Sequence, residues 1–234
     1  MRVVGVDIET TGLDPEKDQI TEIGWAIMDV PLGGKPLKVE SHLCLIDGPV
    51  PDEITKLTSI TTSMLVEFGI PLGLALRELE MAIKSHKVDY IVAHNGNRFD
   101  KPFLEKAGLE ASIPWLDTME IDYGTRHRNL TYLAAVHGFV NPYPHAALFD
   151  VMATLKVLSF QDLDKFIARS KLPWVVIRAM VSYDDRDMAK ARGFSWQDID
   201  GKIYQKCWVK KVKADEVATE KKDATFTVVT VEEL

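Results

Sequence analysis

Apolar positions along the first half of the chain recur with a period of two in some stretches and near 3.6 in others, and the changes of period mark out elements. RVVGVDI at 2–8 is a short run rich in Val and Ile and predicts a buried strand. ITEIGWAIMD at 20–29 predicts a second strand, and LKVESHLCLI at 37–46 a third of alternating character. PLGGKP lies between them, and its Gly33–Gly34 pair suits a hairpin connection. GPVPDEIT at 49–56 reads as a Pro-rich loop. Helices are expected near 61–67 and 71–86, the second carrying Leu72, Leu76, Leu79 and Ile83 on one face. DYIVA at 89–93 is a strand that ends in HNGNRFD, and a helix begins over 100–107 with Pro102 in its first turn. WLDT at 115–118 marks another strand end, followed by helices at 130–137 and 146–159. Three antiparallel strands followed by alternating helices and strands predict an α/β fold built on a mixed sheet.

The pattern changes after this region. DDRDMAKARG reads as a short helix with Gly193 as its C-cap, and FSWQ with KIYQKCWVKKV as a hairpin turning at Asp200–Gly201. TFTVVTVEEL reads as a strand or a disordered tail. The expected organisation is a main domain at 1–165, a small helix-hairpin module at 166–212 and a tail at 213–234.

Charge sharpens that division. The net charge of −7 over 234 residues is unevenly spread. Residues 1–164 carry 14 Lys+Arg against 24 Asp+Glu, residues 165–213 carry 12 against 5, and residues 214–234 carry 2 against 6. An acidic body fits a metal site, a basic segment fits a phosphate backbone, and chance clustering of solvated charge is the plainer alternative. No apolar run approaches the roughly 20 residues that span a bilayer, and the first residues meet charge too early for a signal peptide. The two cysteines, Cys44 and Cys207, have no metal-ligand spacing and read as reduced thiols. A soluble, cytoplasmic protein with no membrane partner is therefore expected.

The candidate chemistry lies in acidic residues at strand ends. Asp7 and Glu9 are two apart on an apolar strand and so share a face. Side-by-side carboxylates there repel and lose solvation, and a hard divalent cation such as Mg²⁺ or Mn²⁺ removes that cost. For an isolated pair, a turn cap beside a solvated acid would be the better explanation. Asp100 closes the run YIVAHNGNRFD, where it also suits a helix N-cap. His145 and Asp150 lie in PHAALFD at the last long helix, and an Asp among apolar helix positions continued by Val151, Leu155 and Leu158 needs a partner.

VDIETTG, AHNGNRFD and HAALFD, with DQITEIG, WLDT and NLTYLAAVHGF between them, resemble the three motifs of the DnaQ-like, DEDDh exonucleases, in order, over roughly residues 1–160. The resemblance implies a ribonuclease H-like fold with a five-stranded mixed sheet flanked by helices. It implies Asp7, Glu9, Asp100 and Asp150 as ligands of two Mg²⁺ or Mn²⁺ ions, and His145 as general base for 3′→5′ hydrolysis releasing nucleoside 5′-monophosphates. Two features depart from the family's pattern. Three residues, Gly96, Asn97 and Arg98, separate Asn95 from Phe99 where many members have two, and Ala146 stands where members often carry Arg.

By the same resemblance Thr10, Thr11 and Leu13 would hold the terminal nucleotide, with Gly12 allowing close backbone approach and His94 and Asn95 nearby. Arg126, His127 and Arg128 form a basic patch suited to phosphates, and equally suited to a solvated surface loop. In the C-terminal module Trp196, Tyr204 and Trp208 interleave with Lys190, Arg192, Lys202, Lys206, Lys210 and Lys211, a mixture suited to single strands, although the two Trp are better accounted for as the module's small core, which leaves the binding to the lysines. This module resembles those appended to some phage and bacterial exonucleases. The expected partner is a single-stranded 3′ end, of DNA first. An exoribonuclease shares every motif, and a non-catalytic nucleic-acid-binding protein would be expected to lack an acid or the His. The 234 residues leave no room for a polymerase, and no clamp-binding peptide stands out beyond TFTVVTVEEL.

Overall fold

A computed structural model describes residues 1–30, 35–124, 127–199 and 203–231, with backbone alone at 199 and 203–205. The Gly33–Gly34 and Asp200–Gly201 connections expected from sequence lie outside the described residues. The chain separates into two compact units, Met1–Ser170 and Lys171–Leu234.

The first unit is built on a five-stranded sheet in the order β3-β2-β1-β4-β5. Its strands are β1 (Arg2–Thr10), β2 (Ile20–Asp29), β3 (Lys38–Leu43), β4 (Tyr90–Ala93) and β5 (Trp115–Asp117). β1 pairs antiparallel with β2 and parallel with β4, so the strand that carries Asp7 and Glu9 is central. The helices are α1 (Asp52–Thr58), α2 (Thr62–Phe68), α3 (Leu72–His86), α4 (Asp100–Lys106), α5 (Leu130–Val136), α6 (Ala147–Leu158) and α7 (Leu163–Ser170). Helix α1 occupies the stretch read as a loop. Pro51 at its N-cap position fixes the approach to the helix, and Asp52 and Glu53 in its first turn complement the helix dipole, a start signal hidden among the prolines.

Burial on both faces explains why β1 is apolar almost throughout. On one side Val4, Val6 and Ile8 pack with Leu76, Leu79 and Ile83 of α3 and with Phe103 and Leu104 of α4. On the other, Val3 packs with Val151, Leu155 and Leu158 of α6 and Phe166 of α7. Each such side chain contributes roughly 1.5–3 kcal/mol by leaving water. Helix α6 lies directly on the sheet. A Cβ on Gly24 of β2 would meet the Leu148 backbone nitrogen at 2.5 Å and the Ala147 carbonyl carbon at 2.6 Å. Only glycine admits the helix at that depth.

The second unit holds a four-stranded sheet in the order β7-β8-β6-β9, made of β6 (Trp174–Met180), β7 (Ser195–Ile199), β8 (Ile203–Lys213) and β9 (Thr227–Thr230). Helices α8 (Arg186–Ala191) and α9 (Val217–Asp223) complete it. The hairpin and short helix read from sequence are present as β7–β8 and α8, and β6 and β9 extend them into a full sheet. The residues read as a separate tail belong to this unit, since β9 pairs antiparallel with β6 along Met180↔Thr227 to Ile177↔Thr230. The boundary expected after residue 165 falls within α7. Val228 joins Ile177, Ala179, Phe194 and Val212 in the unit's core, which the hairpin and helix alone would not have closed.

Among the described residues no helix is long and apolar enough to cross a membrane. Cys44 and Cys207 are both free and buried, one in each unit, and burial pushes the Cys44 thiol up to about 12.

Candidate active site

The carboxylates come from three places in the chain and meet because the sheet and two helices bring them together. Asp7 and Glu9 lie on the same face of β1. Asp100 opens α4 immediately after the β4 end and is 1% exposed. Its Oδ1 accepts the Ile8 backbone N–H at 3.1 Å, which seats it between the two β1 acids. Asp150 lies in the first turn of α6 and is carried to the same cleft by the close seating of that helix. Asp7, Glu9, Asp100, His145 and Asp150 all line one cleft of about 530 Å³. Ligand atoms of Glu9, His145 and Asp150 lie within 4.8 Å of one another.

The electrostatics are those of carboxylates crowded together in a buried cleft. Burial, then the charges of Asp100, Asp150, Glu9 and Glu22, hold the Asp7 carboxyl well above the ordinary range. Burial and Asp150 raise Glu9 to about 8, and burial raises Asp100 to about 7 against the hydrogen bond from Ile8. Asp150 is raised by burial, and the N–H of His145 and the amide of Asn141 oppose the rise. Hard oxygens that repel one another in a cleft suit a divalent cation of the Mg²⁺ or Mn²⁺ type, so these residues fit the metal centre expected from the sequence.

His145 is exposed and adopts a left-handed backbone conformation (φ 64°). Its N–H donates to Oδ2 of Asp150 at 3.0 Å, and Asn141 donates from Nδ2 to Oδ1 at 2.6 Å. Asp150 and the segment bearing His145 are thereby tied to each other. Glu22, the direct neighbour of Glu9 across the β1–β2 pair, accepts the Ala147 N–H on Oε2 at 3.1 Å and the Ser41 hydroxyl on Oε1 at 2.6 Å. The first turn of α6 therefore has its cap supplied from β2, because Ala146 at the N-cap offers no side-chain oxygen.

The expected substrate contacts divide. Thr10, Leu13, His94 and Asn95 line the cleft, and Leu13 is 84% exposed beside it. Thr11 is absent from that lining. Its hydroxyl donates to Asp18 Oδ1 and accepts the Gln19 N–H, so it pins the turn after β1. A Cβ on Gly12 would strike the Asp18 carboxylate at 2.5 Å, so this glycine makes room for Asp18. Both nitrogens of His94 are engaged by the protein: Nε2 donates to the Arg128 carbonyl at 2.7 Å, leaving Nδ1 to accept from the Thr118 hydroxyl at 2.8 Å. Burial lowers its pKa, in keeping with a neutral ring. Arg128 also lines the cleft, with its guanidinium 5.1 Å from the Tyr123 ring. Arg126 lies outside the described residues.

The long second-motif loop is held by Asp117, whose carboxylate accepts the N–H groups of Asn95, Asn97 and Met119. Asn97 donates from its amide to Glu120, while Arg98 is exposed. Sequence reading gave no role to Glu22, Asp117 or Asn141. The only available signal was their polarity: an acid inside the apolar runs ITEIG and WLD, and an Asn before a Pro in a loop. Ile54, Leu57 and Thr58 of α1 also form part of the cleft wall, although the sequence suggests a loop at 49–56 and no element at 57–58.

In the second unit, Lys190 and Lys206 are exposed. Arg192 and Lys210 are not free for phosphate: Glu220 of α9 accepts from Arg192 at 3.0 Å and Lys210 at 2.5 Å. The carboxyl of Glu220 is lowered overall, as these two cations outweigh its burial. Trp196 and Trp208 pair with ring centroids 5.6 Å apart; Trp208 packs against the core while Trp196 is 55% exposed. The side chain of Tyr204 lies outside what is described.

Comparison with known proteins agrees with this geometry. A family model described as exonuclease matches residues 4–158, and one described as a domain of unknown function matches residues 175–231. A PolC-type DNA polymerase III of Mycoplasma pneumoniae is 30% identical over 165 residues, which cover 66% of this chain and 11% of that protein. The chain thus spans about a ninth of that relative's length. Escherichia coli exonuclease I in complex with a dT13 oligonucleotide matches with a TM-score of 0.61 at 13% identity, over 91% of this chain and 63% of that one. The nuclease domain of 3′hExo, described as a DEDDh family member bound to rAMP, matches with a TM-score of 0.59 at 14% identity, over 70% of this chain and 93% of that one.

Proposed function

From a chain that belongs to the exonuclease family, in its DnaQ-like, ribonuclease H-fold form, we propose a metal-dependent 3′→5′ exonuclease acting on single-stranded or frayed DNA ends. The observation that carries this reading is the convergence of Asp7, Glu9, Asp100, Asp150 and His145 on one cleft. Two divalent ions held by the four acids would supply charge neutralisation at the scissile phosphate. An imidazole nitrogen of His145 takes the proton of the attacking water. Leu13, Ile54 and Leu57 offer apolar surface to the terminal nucleoside, within a cleft of a size that suits one nucleotide. Thr10 and Asn95 stand at its polar edge. DNA is favoured over RNA because the curated relatives are described as DNA polymerases.

The test is degradation of 3′- and 5′-labelled single-stranded DNA, duplex DNA and RNA with Mg²⁺ or Mn²⁺, beside an Asp7→Asn control. The expected result is mononucleotide release from the 3′ end of single-stranded DNA, lost in the variant. Loss from the 5′ end, or no metal-dependent degradation of any strand, overturns it.

A further inference from the structure

We propose that the second unit binds the sugar–phosphate backbone of single-stranded nucleic acid on the sheet face opposite its helices, through Arg178 and Lys211. The proposal rests on the reading of the first unit as a nuclease, which supplies the polyanion.

The core side of this sheet is defined by Val175, Ile177, Ala179, Trp208, Val212 and Val228, packed with residues of α8 and α9. Alternation along the strands puts Trp174, Val176, Arg178 and Met180 of β6 on the other face, with Cys207, Val209, Lys211 and Lys213 of β8; Cys207, Val209 and Lys213 are buried there, Arg178 is half-buried, and Trp174, Met180 and Lys211 are exposed. The charges on the two sides differ in their engagement. On the helix side, Arg192 and Lys210 are neutralised by Glu220. On the opposite face, Arg178 and Lys211 have no ion pair or hydrogen bond among the described residues, and the Nε of Arg178 is shielded from solvent without a partner. An unpaired donor of this kind is satisfied by a ligand oxygen. The planar guanidinium fork matches a phosphate.

The surroundings suit the same ligand. Strands β6, β8 and β9 contain no Asp or Glu at all, and Asp198 is the one acid in β7. Register pairs Arg178 with Val209 and Val176 with Lys211, which makes Arg178 and Lys211 diagonal neighbours, roughly 7 Å apart. Trp174 and Met180 are 43% and 46% exposed on this face, and the Lys211 Nζ lies 5.5 Å from the Trp174 ring centre. Unpaired cations beside exposed apolar surface, with acid nearly absent, complement a flexible polyanion whose bases offer apolar faces.

The experiment is fluorescence anisotropy of the full chain in EDTA with labelled oligo(dT) and oligo(rU) of equal length, across a salt series. Lys211→Glu carries the test, because that side chain is exposed and its loss spares the fold. Arg178→Gln and the double neutral variant Arg178→Gln/Lys211→Gln accompany it. The expected result is about a tenfold loss of affinity for Lys211→Glu, and a salt slope lower by about 0.7 for each contact removed. Loss with both oligonucleotides marks a backbone shared by DNA and RNA, and loss with one identifies the strand bound. Unchanged affinity in Lys211→Glu, or a loss confined to Lys190→Glu and Lys206→Glu, overturns the proposal. Hydrolysis of a chromogenic mononucleotide ester with Mg²⁺ is expected to be unchanged in Lys211→Glu. Its absence in the unsubstituted chain would count against the nuclease reading and leave the binding result standing.

Discussion

Asn141 donates from its amide to Asp150 at 2.6 Å. Asn141 in turn accepts the Tyr143 N–H at 3.0 Å, so one buried amide fixes a carboxylate and the loop leading to His145. Its removal is expected to act through metal binding. Asn141→Ala should raise the Mg²⁺ concentration for half-maximal activity by roughly 10- to 100-fold, the usual cost of losing such a support. A metal titration of initial rates checks this, and an unchanged midpoint would sink the idea.

Glu22 does two separable things: its carboxylate caps α6 at Ala147, and its charge raises Asp7, Glu9 and Asp150. Glu22→Gln keeps an acceptor and removes the charge, whereas Glu22→Ala removes both. The Ala variant should lose about 1 kcal/mol relative to Gln in denaturant unfolding without metal. Equal stability of the two variants would show that the cap contributes nothing.

Proton linkage gives a third expectation. Glu9 binds its proton more tightly in the folded chain, at about 8 against 4.5. Between those values the unfolded chain holds fewer protons, so Glu9 makes metal-free stability fall as pH rises. Glu9→Gln should therefore match the unsubstituted protein near the lower end of this window and exceed it in Tm near the upper end, both in EDTA. Saturating Mg²⁺ should narrow or reverse the difference, because the cation offsets the same repulsion. A Glu9→Gln Tm that trails further behind as pH rises would contradict the argument.

Gly24→Ala should destabilise through overpacking. The new methyl meets backbone atoms of α6 at 2.5 and 2.6 Å, which no side-chain rotation relieves. A loss of about 1–3 kcal/mol is expected, together with reduced activity as Asp150 shifts away from Glu9. Activity equal to that of the unsubstituted chain would mean that the seating of α6 does not set the site.

The parts of the fold legible in the sequence were those written in side-chain period. β1, α3 and α6 announce themselves by Val4–Val6–Ile8, Leu76–Leu79–Ile83 and Val151–Leu155–Leu158, which pack as their spacing requires. The acids of the cleft were legible because charge inside such runs is costly unless used. What stayed hidden depends on partners distant in sequence. Glu22 meets Ala147 across 125 residues, and Thr11 is claimed by Asp18 before any substrate arrives. The basic segment misled for the same reason: Glu220, in what read as a tail, reaches back to Arg192 and Lys210, and the second unit as folded carries 12 Lys+Arg against 11 Asp+Glu.

Because Gly24 leaves α6 in backbone contact with the sheet, the gap between the acids of β1 and Asp150 is spanned by main chain and not by an adjustable layer of side chains. Such a gap has no soft wall to give way. A cation must suit the spacing it finds, so discrimination among divalent ions by radius would be inherited from a single missing methyl group on the strand beside β1, at the residue paired with Asp7.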